Sequence, residues 1–177
     1  MKKFLILLLA LSLTGCSAVT KSMSSKGEVV DCTEVSQVAA KPGDTLLNCL
    51  TGSQKISVES LRGPLIVNVW GSWCGPCADE IPLFVDFHHH ADGKVKILGI
   101  AVEEAKSQDA KDFIVAKGMT WPNLYDAKGV TRSTFGMGVP VTWFIDKQGN
   151  VVYKHVGVVK STEELIELTN KYLKVSI

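Results

Sequence analysis

The sequence predicts an α/β domain whose sheet carries one antiparallel edge. Three observations point to it. From Leu65 onward, extended apolar runs alternate with helical stretches. A pair of cysteines two residues apart sits where the first of those runs gives way to a helix. Near the end, the runs 141–146 and 151–156 flank Lys147-Gln148-Gly149-Asn150, a hairpin signal. Hydrophobic residues make up 46% of the chain and charged residues 21%, a globular composition. The net charge is +1 and no basic stripe interleaves with aromatics, which sets nucleic acid aside as a partner.

The elements follow in order. Between 32 and 61, short extended pieces alternate with turn residues, and two strands around Thr51-Gly52-Ser53-Gln54 form a hairpin. Residues 57–61 make a helical turn, ended by Gly63-Pro64. Residues 65–70 are a continuous apolar run and read as a buried strand. A helix covers 76–90, with Pro82 inside it as a bend. Residues 95–102, rich in β-branched and small side chains, form the next strand. A helix over 107–117 contributes Phe113, Ile114 and Val115 and stops at Gly118. Residues 123–126 are extended and 130–135 a short helix. After the hairpin, a closing helix spans 162–173, capped by Ser161 or Thr162, with Glu163 and Glu164 in its first turn. No internal repeat is present.

Trp73-Cys74-Gly75-Pro76-Cys77 carries the chemistry. A strand that enters a helix through Cys-x-x-Cys places the first thiol at the helix N-terminus. Unpaired backbone N–H groups and the positive end of the macrodipole there favour a thiolate. The second thiol lies one turn on, within reach of a disulfide. Pro76 suits a first turn, where its missing N–H costs no hydrogen bond. A zinc site would need further ligands at matching spacing, which the remaining cysteines do not offer, so no metal and no cofactor is expected.

The N-terminus reads as a processing signal. Met1-Lys2-Lys3 is a basic start, and 4–13 is an apolar run too short to span a bilayer comfortably. Leu13-Thr14-Gly15-Cys16 resembles the lipobox of bacterial lipoproteins. The resemblance implies that 1–16 is a lipoprotein signal ending at Cys16, the lipidated residue, against an ordinary cleaved signal with a chance cysteine. Acyl chains on Cys16 would hold the domain at a membrane. Residues 17–28, rich in Ser and Lys, read as a flexible tether, with the folded domain over 29–177. With Cys16 given to lipid and Cys74 and Cys77 to the motif, Cys32 and Cys49 remain. Outside the cytosol they read as a structural disulfide, with a second redox relay as the alternative.

From residue 64 to the end the chain resembles the thioredoxin fold. The resemblance rests on the strand leading into Trp73-Cys74-Gly75-Pro76-Cys77, on Gly138-Val139-Pro140-Val141-Thr142, and on the last hairpin and helix. More narrowly it resembles the TlpA/ResA/CcmG-like extracytoplasmic branch. That likeness comes from Val67-Asn68-Val69-Trp70, Cys77-Ala78-Asp79-Glu80-Ile81-Pro82, the strand–helix insertion around 95–125 and the N-terminal β-hairpin extension. It implies that Cys74 is the exposed nucleophile and Cys77 the buried resolving thiol. It also implies that Pro140 is a cis-proline facing the motif, with Val139 offering backbone groups to a substrate strand. Glu80, one turn past Cys77, reads either as a buried proton-exchange partner of Cys77 or as a solvated helix residue. Asn68 stands where thioredoxins proper carry a buried aspartate and cannot titrate.

Trp73 is expected as a partly exposed platform beside Cys74, and Trp70 as core. Trp121, Tyr125 and Trp143 read as core or cleft-edge packing, and Glu103 and Glu104, which follow the second strand, as solvated loop charges rather than as residues bordering the cleft. His88, His89 and His90 point in different directions on a helix, which suits a solvated helix end better than a metal site. The combined reading is an extracytoplasmic, membrane-tethered thiol–disulfide oxidoreductase, monomeric, acting on protein thiols and disulfides. By resemblance it would reduce apocytochrome c or other exported proteins, drawing electrons from a membrane thiol donor. The competing readings are an oxidase passing electrons to a membrane acceptor, a binding or chaperone module, and a peroxidase. The Cys pair argues against the last two.

Overall fold

The computed structural model describes residues 26–136 and 138–177. The signal at 1–16, Cys16 and most of the expected tether lie outside them. Seven strands form one sheet in the order β2-β1-β5-β4-β3-β6-β7. They are β1 (Leu46–Cys49), β2 (Lys55–Ser57), β3 (Leu65–Trp70), β4 (Lys96–Val102), β5 (Asn123–Asp126), β6 (Val141–Ile145) and β7 (Val151–Val156). The helices are α1 (Gly75–Ala91), α2 (Ser107–Lys117), α3 (Arg132–Phe135) and α4 (Thr162–Leu168), the last continuing as a π turn over Thr169–Leu173.

The expectation of one antiparallel edge is corrected: both edges are antiparallel. Only β3–β4 and β4–β5 pair parallel. On one side β6 and β7 run antiparallel. On the other, β1 joins β5 antiparallel, with Asn48 opposite Tyr125 and Cys49 opposite Leu124. The N-terminal hairpin is therefore an added sheet edge. Strand β1 is only four residues long, too short for its pattern to say which partner it chooses.

Strand β3 is buried along its whole length, as a run apolar at every position but Asn68 requires. Alternate side chains serve two different cores. Ile66 and Trp70 join Phe84 and Phe87 of α1, Ile114 of α2 and Leu165 of α4. Val67 and Val69 join Leu98, Ile100, Trp143 and Phe135 on the other face, where the hairpin and the N-terminal segment close the layer. Gly99 of β4 leaves room for the Trp70 indole, which donates to Asn123 Oδ1 at 3.1 Å.

Pro82 sits within α1 and has no N–H for the carbonyl of Ala78 four residues back. Lys117 Nζ, from the end of α2, donates to that carbonyl at 3.1 Å. Ser161 caps α4 by accepting from the Glu164 N–H at 3.1 Å. The domain's contacts begin two residues ahead of Val29: the Gly27 N–H donates to Val115 O and the Glu28 N–H to Met119 O.

Cys32 and Cys49 are disulfide-bonded, with Cα atoms 6.0 Å apart across 17 residues of sequence. Both sulfurs lie in the core beneath the hairpin. Closing a loop of that size restricts the unfolded chain by about 3 kcal/mol. Replacing both residues by Ser is expected to lower the free energy of unfolding by about that amount in urea titration, with the Cys74–Cys77 pair left intact.

Candidate active site

The site stands at the carboxyl end of β3, where the chain order in the sheet reverses between β4 and β6, a usual place for function in open α/β sheets. Cys74 is the N-cap of α1. Its Sγ accepts from the Cys77 N–H at 3.2 Å, so the sulfur sits where the helix presents its free donors. The Cys74 and Cys77 sulfurs are bonded to each other, with Cα atoms 5.3 Å apart. The expectation of an exposed Cys74 is corrected: it is 5% exposed, against 0% for Cys77. The Cys74 N–H donates to Gly71 O at 3.0 Å, so Gly71, Ser72 and Trp73 make a tight turn into the helix. A Cβ at Gly71 would lie 2.6 Å from the Trp73 ring, so the glycine permits that fold. Trp73 is 56% exposed, and its indole N–H donates to Val102 O at 3.1 Å.

The Val139–Pro140 peptide is cis. In the β3–β6 register Val69 faces Val141, which brings Pro140 to the same end of the sheet as the cysteines. Val139 and Trp73 share a cavity of about 260 Å³, with Phe135 and Arg132 among its walls.

Glu80 is not a solvated helix residue; it is fully buried. Asn68 Nδ2 donates to its Oε1 at 2.8 Å, and the Val159 N–H donates to its Oε2 at 3.1 Å. Burial disfavours the charged form and pushes its pKa from the ordinary 4.5 up to about 7, while the two hydrogen bonds act in the opposite sense. Spaced three residues along α1, Glu80 lies one helical turn below Cys77.

Glu104 also departs from expectation. It is buried, and its carboxyl group accepts from the Ser72 N–H at 2.6 Å and from the Ser72 hydroxyl at 2.5 Å. It thereby ties the loop carrying Trp73 to the end of β4. Glu103 turns outward with φ of 53° and pairs with Arg132 across the mouth of the cavity. Neither role is local in sequence. The available signal was two acids at the end of the strand beside β3. His88 is half-buried against Trp121 rather than solvated, their ring centres 5.6 Å apart, while His89 and His90 are exposed. Trp70, Trp121 and Trp143 are all in the core, and Tyr125 packs at its margin.

Residues 39–154 match the AhpC/TSA family. The chain belongs to that family. Sporulation thiol-disulfide oxidoreductase A of Bacillus subtilis is 28% identical over 136 residues, which cover 75% of this chain and 81% of that protein. Thiol-disulfide oxidoreductase ResA of Geobacillus thermodenitrificans is 30% identical over 149 residues, covering 82% and 80%. The crystal structure of StoA from Bacillus subtilis superposes with a TM-score of 0.59 at 27% identity, over 74% of this chain and 99% of that one. A thioredoxin-like protein from Aeropyrum pernix shares the fold at 17% identity and a TM-score of 0.59, over 72% and 89%. This AhpC/TSA-family chain is thus a thioredoxin-like thiol–disulfide oxidoreductase of the ResA and StoA type.

Removing the Glu104 carboxyl group leaves two Ser72 donors without their partner. Glu104→Ala is expected to lose about 2 kcal/mol or more of stability in urea unfolding. The Trp73 fluorescence should shift toward that of a freely solvated indole.

Proposed function

We propose that the protein is a membrane-tethered reductase of disulfides in exported proteins, with apocytochrome c as one such substrate. The observation that carries the reading is the placement of Cys74 Sγ at the head of α1, accepting the Cys77 N–H, at the sheet end that also holds Pro140. In the reduced protein the same N–H and the helix field would hold a thiolate on Cys74. That thiolate attacks a substrate disulfide, forming a mixed disulfide and releasing one substrate thiolate. Cys77 then attacks Cys74 Sγ, freeing the second substrate thiol and closing the bond seen in the structure. Two electrons pass to the substrate, and a membrane thiol donor restores them.

Glu80 would accept the proton that Cys77 releases. A pKa near 7 suits exchange in both directions at neutral pH. Trp73 and Val139 would line the path of the substrate chain, the latter through its backbone groups. Gly75-Pro76 resembles the dipeptide of reducing thioredoxins and supports the reducing direction. The names of the relatives support the thiol–disulfide chemistry itself. Cys16 is the proposed lipid anchor, the site of action lies outside the cytoplasm, and the working form is a monomer.

Equilibration against glutathione or dithiothreitol buffers tests the direction. A strongly negative potential is expected, and a value near those of dedicated oxidants would reverse the assignment. Cys74→Ser should abolish insulin reduction, whereas Cys77→Ser should accumulate mixed disulfides with substrate. Loss of activity in neither variant would favour a binding module.

The Glu80 carboxyl group also predicts a pH dependence. Its pKa is higher folded than unfolded, so between 4.5 and about 7 the native state holds more protons than the unfolded chain. Its contribution is full below pH 4.5 and fades as pH rises to about 7, a loss of about 3 kcal/mol. Glu80→Gln should flatten that part of the stability profile and remove the inflection near neutral pH from the reaction rate.

A further inference from the structure

The two hydrogen bonds at Glu80 suit only one of its charge states. Asn68 Nδ2 donates to its Oε1 at 2.8 Å, and the Val159 N–H donates to its Oε2 at 3.1 Å. A carboxylate accepts both. A carboxylic acid must also donate, and each of its oxygens faces a donor. The backbone N–H of Val159 has no acceptor to offer in its place. The Asn68 side chain has one. A half-turn of its amide exchanges Nδ2 for Oδ1 with almost no change of shape.

That half-turn needs an answer at the other end of the amide. Strands β4 and β6 flank β3, and they place Gly99 and Thr142 opposite Asn68. Gly99 has no side chain, so Thr142 supplies the polar group. Both Asn68 and Thr142 are fully buried. Asn68 Oδ1 and Thr142 Oγ1 each lack a hydrogen-bond partner among the described residues. Residues directly opposed on antiparallel strands hold their Cβ atoms about 4.5–5.5 Å apart, close enough for two short polar side chains to meet. A threonine hydroxyl rotates, and it both donates and accepts. It can therefore answer either end of the amide.

The neighbouring titratable groups are engaged elsewhere. Burial, the Val159 N–H and the Asn68 amide set the proton affinity of Glu80, with no charged side chain among the causes. One turn above and below it on α1 stand Pro76, Cys77, Leu83 and Phe84, and Cys77 is bonded to Cys74. Lys117 of α2 donates to Ala78 O. On α4, Glu164 accepts from the Lys160 N–H, while Glu163 and Glu167 are exposed. His155, opposite Thr142 on β7, holds its Nε2 3.2 Å from Val158 O.

We propose that Thr142 is a positioning residue for proton exchange at Glu80, acting through a reversible Asn68 amide. With Glu80 ionised, the amide donates to it and accepts from the Thr142 hydroxyl. With Glu80 protonated, the amide is reversed: Oδ1 accepts the Glu80 O–H, and Nδ2 donates to Thr142 Oγ1. Only hydrogen bonds change hands, and the proton stays on Glu80. The proposal rests for its purpose on Glu80 as the proton acceptor of Cys77; its geometry is that of the disulfide form.

The test is a pH titration of the whole folded chain in its disulfide form, with glutamate carboxyl groups labelled with carbon-13 and the Glu80 signal assigned through Glu80→Gln. Thr142→Val keeps the shape and removes the hydroxyl. Reversal then turns an amide N–H toward valine, and an unanswered buried donor is costlier than an under-used carbonyl. The neutral acid loses more than the carboxylate, so the midpoint is expected to fall by about one pH unit. Thr142→Ser keeps the hydroxyl and should keep the parent midpoint. The parent protein gives a second reading should the valine variant not fold. Nuclear Overhauser contacts from the Asn68 amide protons to the Thr142 methyl group should be strong below the midpoint and weak above it. An unchanged or raised midpoint with valine, a serine variant that behaves like valine, or contacts that ignore pH would each overturn the proposal. These readings need no turnover. A failure of proton exchange with Cys77 would show instead as Glu80→Gln reacting with the parent's pH profile while the titration stands.

Discussion

One buried carboxyl group holds the working end of the molecule together. Glu80 belongs to α1, accepts from Asn68 of β3, and accepts again from the backbone at Val159 before α4. A strand, the helix that begins at the cysteines and the approach to the closing helix thus converge on two oxygen atoms. In a low-dielectric interior such contacts are strong, and an unanswered polar group is costly. Neutral Glu80 needs less compensation than a carboxylate would, which is consistent with its burial among apolar neighbours. The same environment that makes it a strut gives it a proton to exchange near neutral pH.

Asn68 makes the arrangement possible. Its even-numbered place on β3 sends it to the same face as Ile66 and Trp70, toward α1. An aspartate there would set a second ionisable group against the first. The amide instead supplies a donor and leaves Glu80 without a second carboxyl group against it.

The sequence made the central elements plain because their signals are local. The run 65–70 is apolar at nearly every step, 107–117 ends on a glycine with φ of 78°, and 147–150 has turn chemistry. The partner of β1 was not legible, because a strand of four residues does not encode that Cys49 will lie opposite Leu124, far along the chain. The burial of Glu104 was hidden for the same reason. Whether an acid after a strand meets water or a serine depends on a loop 32 residues earlier in the chain. The Lys117 contact to Ala78 is a third case, in which proline leaves a carbonyl unclaimed by its own helix and a lysine from another helix claims it.

The docking of Gly27 and Glu28 has a mechanical consequence. They are held at the far end of α2, and Val30 pairs with Pro122 just before β5 begins. The polypeptide therefore enters the domain at the pole remote from the Cys74–Cys77 disulfide. Any attachment further upstream pulls on that pole, through backbone hydrogen bonds, while the pole carrying Cys74 and Cys77 points outward. A leash fastened behind leaves the front free to meet large partners from the open side.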